Sequence, residues 1–177
     1  RTIIYAGGLY ERYGLKHLVE GFKKLKDPQI RLWVFGAGPF SKKIEEYNKL
    51  DSRIVYKGIV TNAELISILI KASLLVNPRP THEAYTKYSF PSKNLEFMSV
   101  GTPLLTTKLP GIPKDHFPHV YFINKESSLG IYKALSLLMR YSDKELHEFG
   151  LKSKSFTLKK KNNVTQSKKI LKMILKK

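Results

Sequence analysis

The sequence predicts an α/β fold: a mostly parallel sheet with helices on both faces. Short apolar, β-branched runs alternate with helix-periodic stretches almost from end to end, the pattern of consecutive strand-helix units. Three of the loops that follow strands or precede helices are rich in glycine, proline or serine. Such sheets bind ligands at the carboxyl ends of their strands, so these loops are where function is sought.

In chain order, a strand at 2–6 (TIIYA) leads through AGGLYERYG to a helix at 15–25. A strand at 30–35 leads through FGAGPFS to a helix at 41–50, with Pro39 placed as a favoured helix-starting residue. A strand at 53–56 and a helix at 62–72 follow, then a strand at 73–77. The insertion NPRPTHEAYTKY and the loop SFPSK come next, before a helix at 91–100 with Pro91 in its first turn. Strands at 103–107 and 119–123 are joined through the proline-rich PGIPKDHFPH, and helices at 127–140 and 143–154 complete the domain.

The 177 residues suffice for one well-cored domain plus an appendage. No stretch is long and apolar enough to span a bilayer, and the N-terminus shows no basic-then-apolar leader pattern. The absence of cysteine excludes disulfides and thiolate-bound metals and fits the cytosol. The net charge of +18 is unevenly placed: residues 1–150 hold 22 Lys and Arg against 14 Asp and Glu, whereas residues 151–177 hold ten Lys and no acid. The expected division is a domain over 1–156 and a basic amphipathic helix over 157–177, suited to packing on the domain or to an anionic membrane surface. No helix-turn-helix, zinc or aromatic RNA-binding pattern supports a nucleic-acid partner.

Gly7 and Gly8 let the backbone approach an anion closely, with Arg12 nearby to supply a guanidinium. Gly36 and Gly38 form a second such loop, but Ser41 stands where a dinucleotide fingerprint wants its third glycine, and no Gly-Lys-Ser/Thr of a P-loop is present. The third loop is the most informative. A helix starting near Pro91 offers free backbone N–H groups to an anion, yet it carries Lys93 where the helix dipole disfavours a cation. A bound diphosphate would balance that charge, and the Glu96 carboxylate is suited to accept both hydroxyls of a ribose. The structural alternatives are a solvated Lys93, or Lys93 paired with Glu83 or with Glu96 at i, i+3. His116 and His119 read as residues of a plain loop, whereas Arg79, His82, Glu83 and Tyr85 lie in an insertion expected to overhang a sugar pocket.

The blocks AGGLYERYGLKHLVEGF, LWVFGAGPF, IVYKGIVTNAEL and SFPSKNLEFMSVGTPLL, in this order, resemble the C-terminal donor-nucleotide domain of family 4 GT-B glycosyltransferases over residues 1–140. The resemblance implies a Rossmann-like half of a two-domain enzyme, with a nucleotide sugar between the halves and an N-terminal acceptor domain absent from this chain. It implies that Glu96, the second glutamate of the family's E-x7-E motif, binds the ribose. Gly7 and Gly8 would then lie by the diphosphate, and the loop containing Val60 would hold the base. Two positions depart from the pattern: Tyr88 replaces a glutamate that contacts the donor sugar, and Gly8 and Tyr13 replace an arginine and a lysine of the first loop. Arg12 and Lys93 are therefore expected as the catalytic cations, with Gly36, Gly38, Tyr88, Ser89, Phe90, Pro91 and Ser92 completing the donor site.

The expected function is a retaining, metal-independent hexosyltransferase, taking a UDP- or GDP-sugar as substrate with no further cofactor. Its acceptor would be a glycan or lipid-linked species in surface polysaccharide synthesis, at the inner face of the membrane. This chain alone is expected to bind donor without turning it over. A nucleotide-sugar epimerase of the same architecture, or a charge-driven module for anionic lipid or nucleic acid, are the alternatives.

Overall fold

The computed structural model describes residues 1–175. Six strands form one sheet: β1 (Thr2–Ala6), β2 (Arg31–Phe35), β3 (Ile54–Gly58), β4 (Leu74–Asn77), β5 (Leu104–Thr107) and β6 (Tyr121–Ile123). Their spatial order is β3-β2-β1-β4-β5-β6, and every adjacent pair is parallel. The direction of winding reverses between β1 and β4, so the crevice beyond the carboxyl ends of those two strands is the expected ligand position.

Alternate residues of each strand feed two cores, which is why the central strands are apolar throughout. Ile3, Leu32, Val34, Leu74, Val76 and Leu105 pack beneath α1 (Leu15–Lys23), α2 (Ser41–Leu50) and α5 (Ser128–Leu138). Ile4, Ala6, Phe35, Leu75 and Leu104 pack beneath α3 (Asn62–Leu69), α4 (Ser92–Val100) and α6 (Asp143–Lys160). The predicted Rossmann-like architecture is therefore the observed one, and every predicted strand and helix is present.

Differences at the element ends have local causes. Pro91 is the residue before α4, its extended ψ of 102° placing it outside the helix that starts at Ser92. α6 runs past the predicted residue 154 to Lys160, because Phe156 and Thr157 are buried against the domain. The boundary drawn after residue 156 thus falls within α6, and the chain breaks instead at Lys161 and Asn162 before α7 (Asn163–Ile174). The final two lysines of the tail, 176 and 177, lie outside the described residues.

His116, read as a residue of a plain loop, lies in a 3-10 helix over Lys114–His119 and is buried, 3% exposed. Its ring lies against Phe90 and Phe156, at centroid distances of 5.2 Å in both cases. Its Nδ1 is 2.9 Å from the Asp115 carboxylate, which also accepts from Lys161 Nζ at 2.7 Å. The Lys161 bond holds the Asp115 carboxyl below its ordinary range, and burial pushes the His116 ring the same way.

Candidate functional site

Backbone contacts stitch the loops after β1 and β2 together. The Gly7 N–H donates to Phe35 O, Leu9 N–H to Ala37 O and Phe40 N–H to Leu9 O. Gly36 has φ +123°, and a Cβ there would lie 1.9 Å from Gly7 O, so only glycine lets the two loops touch. Gly38 meets Leu9 O in the same way and does not line the adjoining cavity. That cavity, of about 400 Å³, is bounded by Gly7, Gly8, Gly36, Val60, Leu65 and Lys93, among others.

α4 aims at this cavity because a buried polar network holds its first turn. Asn77 Nδ2, at the end of β4, donates to Asn94 Oδ1 at 2.6 Å. Thr106 Oγ1, at the end of β5, donates to Asn77 O at 3.0 Å and accepts from Asn94 Nδ2 at 3.4 Å. All three side chains are buried, so the start of α4 is locked to two strand ends. No side chain caps the helix and no acid occupies its first turn.

Lys93 is half-buried, with Cε 3.4 Å from the position a Cβ on Gly7 would take. It thus reaches the first glycine loop, and its Nζ lies 5.7 Å from the Phe97 ring centroid. Among the described residues neither Glu83 nor Glu96 pairs with it; Glu83 lies 3.9 Å from His82 instead. Glu96, one turn further along α4, is exposed and lines a neighbouring groove of about 260 Å³ with Asn62, Leu65, Ile66 and Leu69. Leu65 borders both spaces, so cavity and groove adjoin.

The other predicted residues are dispersed. Arg12 is exposed beside the rings of Tyr10 and Tyr13, at 5.3 and 5.6 Å, and does not line the cavity. Tyr88 is 92% exposed. Phe90 packs on His116, the Ser89 carbonyl sits over Gly111, Pro91 is buried and Ser92 is exposed. Of the SFPSK loop, only Lys93 lines the cavity. Sequence reasoning missed the Asn77–Asn94–Thr106 network, whose one local signal is an asparagine among the apolar residues of a helix start.

A parallel sheet wound in this order, with helices on both faces, is the Rossmann-like α/β architecture found in GT-B glycosyltransferases. The chain belongs to the group 1 glycosyl transferases, whose family model matches residues 1–140. It is 28% identical over 118 residues to the Escherichia coli glycosyltransferase WcaL, assigned to colanic acid biosynthesis. That match takes in 63% of this chain and 29% of WcaL, so the chain spans less than a third of that relative. The catalytic domain of the Helicobacter pylori cholesterol-α-glucosyltransferase superposes with a TM-score of 0.70 at 20% identity, covering 89% of this chain and 96% of that one. Anabaena HepE, solved in complex with UDP, superposes with a TM-score of 0.76 at 14% identity over 98% of this chain and 48% of its own. Staphylococcus aureus TarM, also solved with UDP, gives 0.77 at 17% identity over 98% and 35%.

Proposed function

We propose that this chain is the donor-binding half of a retaining glycosyltransferase that transfers a hexose from a UDP- or GDP-sugar to a glycan or lipid-linked acceptor in surface polysaccharide synthesis. The observation that carries the reading is Lys93: a cation in the first turn of an uncapped helix, reaching Gly7 with no carboxylate partner among the described residues. A cation there disfavours the helix start by about 0.3–1 kcal/mol until an anion arrives. Glu96 then accepts the ribose hydroxyls, and backbone groups around Val60 border the base. The UDP complexes of HepE and TarM and the pathway of WcaL support this assignment.

In the transfer, the bond from the anomeric carbon to the phosphate oxygen breaks, its electron pair leaves with the diphosphate, and an acceptor hydroxyl oxygen forms the new bond to that carbon as it gives up its proton. Lys93 and the N–H groups that open α4 take up that charge, which is the main electrostatic demand of the step. These fixed positive groups make the donor complex independent of a divalent metal. The acceptor and its proton acceptor lie with the part of the enzyme outside this chain. Calorimetry with UDP and GDP, with and without EDTA, tests the reading: one nucleotide binds regardless of chelator, and Glu96→Ala weakens it about a hundredfold through loss of two charge-assisted hydrogen bonds. Failure of both nucleotides to bind the unaltered chain overturns it.

We propose also that α7 seats the enzyme on an anionic cytoplasmic leaflet. Ile170, Leu171 and Ile174 are exposed in adjacent rows of the helix, while Lys168, Lys169 and Lys172 occupy the other side. Each lysine near such a surface contributes about 1 kcal/mol. The chain is expected to sediment with vesicles containing phosphatidylglycerol and not with neutral phosphatidylcholine ones. Serine at Ile170 and Ile174 abolishes the binding; if those substitutions have no effect, the tail acts as a plain polycation.

A further inference from the structure

The loop after β4 belongs to the same crevice as the loop after β1, since winding reverses between those strands. Arg79 is the second residue beyond the end of β4. Its guanidinium carbon lies 4.5 Å from the centroid of the Tyr13 ring. The edge of that ring is in turn 3.2 Å from the position a Cβ on Gly8 would take. Lys93 thus abuts Gly7, and the platform beneath Arg79 abuts Gly8.

The loop that carries Arg79 is fixed. Gly14 has φ +82°, and a Cβ there would lie 2.1 Å from Pro78 O, so the two loops meet backbone to backbone next to Arg79. The Thr81 N–H donates to the Glu126 carboxylate at 2.7 Å, and Thr86 Oγ1 donates back to the Thr81 and Glu83 carbonyls. The Tyr5 hydroxyl, beneath this cluster, donates to Gly8 O at 2.7 Å. Burial pushes its pKa up, and the nearby Arg79 charge opposes that rise. No carboxylate among the described residues is within ion-pair distance of Arg79, although the side chain is only partly exposed.

We infer that Arg79, stacked on Tyr13, binds the sugar-proximal phosphate of the donor diphosphate and so makes this site select nucleoside diphosphates over monophosphates. The inference rests on the donor-site reading above. The order of groups gives the assignment: Glu96 and Lys93 are one turn apart on α4, followed by Gly7 and Gly8, then Tyr13 with Arg79. Ribose at Glu96 places the first phosphate at Lys93 and the second at Arg79. Guanidinium suits the task because it stacks on an aromatic face while presenting a planar pair of donors to phosphate oxygens.

Calorimetric titration of UMP and UDP, or of GMP and GDP if the site takes guanine, into the whole chain and its variants tests this. Arg79→Ala is expected to weaken the diphosphate about ten- to thirtyfold, the loss of one charge-assisted contact, and to leave the monophosphate within twofold. Retained monophosphate binding shows that the variant is folded. Arg79→Lys is expected to recover only part of the loss, because an ammonium does not stack as a planar fork does. Lys93→Ala weakens both nucleotides. Diphosphate affinity unchanged in Arg79→Ala, or equal losses for both nucleotides, overturns the assignment of Arg79. If the unaltered chain binds no nucleotide, the donor-site reading itself fails and the Arg79 assignment falls with it.

Discussion

α3 and α4 both start at the carboxyl edge of the sheet and pack against each other, but their first turns are closed differently. In α3, Thr61 Oγ1 accepts from the Glu64 N–H, and the Glu64 carboxylate accepts from the Thr61 N–H at 2.9 Å. The Thr61 N–H and hydroxyl, both donating to the Glu64 carboxylate, hold it below its ordinary range, and its charge suits the positive end of the helix. α6 repeats the device with Ser142 and Glu145. α4 has neither side-chain cap nor acid; Asn94 stands at the position of those glutamates, with Lys93 one residue before it. Two helices supply their own anion; the third leaves the place open. α1 and α2 also start without a side-chain cap or an acid, so what sets α4 apart is that its first-turn lysine reaches the Gly7 loop and lines the cavity, where the donor-site reading puts a ligand anion.

The sharpest way to break the comparison is to give α4 the charge the other helices carry. Lys93→Glu supplies an internal anion and is expected to weaken nucleotide diphosphate binding about a hundredfold, through loss of one charge contact and gain of a repulsive one. Titration calorimetry measures it. Affinity within threefold of the unaltered chain would mean that Lys93 does not face the diphosphate. The next largest effect concerns how α4 is aimed. Asn94→Ala leaves Asn77 Nδ2 and one lone pair of Thr106 without their buried partner, at a cost of about 1–3 kcal/mol read by urea denaturation. Nucleotide affinity should fall with it, because the helix start is no longer tied to β4 and β5.

Most of the fold was legible because its signals are local. TIIYA and SLLVN are too apolar to face water on either side, and the helix starts at Leu15, Ser41 and Asn62 carry loop or cap residues at the expected places. Lys93 was legible for the same reason, as a conflict between a residue and its position. What sequence could not show is what depends on strand register or on folding of distant loops. The partners of Asn94 are 17 and 12 residues away and meet it only once β4 and β5 are side by side. Arg79 reaches Tyr13 across the switch point, and no periodicity relates them. His116 sits in a proline-rich segment that reads as loop, yet Phe90 and Phe156, distant from it on either side in sequence, enclose it. The same contact turns Phe90 away from the cavity and explains why most of the SFPSK loop does not line it.

The smallest effect separates the two kinds of helix start by the sign of a stability change. Ser142→Ala removes the cap of α6 and is expected to cost about 1 kcal/mol, without altering nucleotide affinity. Lys93→Ala should act in the opposite direction on the free protein. It removes a cation from the positive end of α4 and substitutes the residue with the highest helix propensity, so a gain of roughly 0.3–1 kcal/mol is expected. The same variant binds nucleotide more weakly, and a given concentration of UDP or GDP should therefore stabilise it less than it stabilises the unaltered chain. Thermal midpoints measured with and without nucleotide distinguish the cases. A loss of stability in ligand-free Lys93→Ala would show that the lysine serves the fold, through its packing on Phe97, and that α4 is closed without a ligand. A gain in the free protein that reverses in the complex would show that this position is kept unfavourable in the free state and is relieved when a diphosphate occupies the helix start.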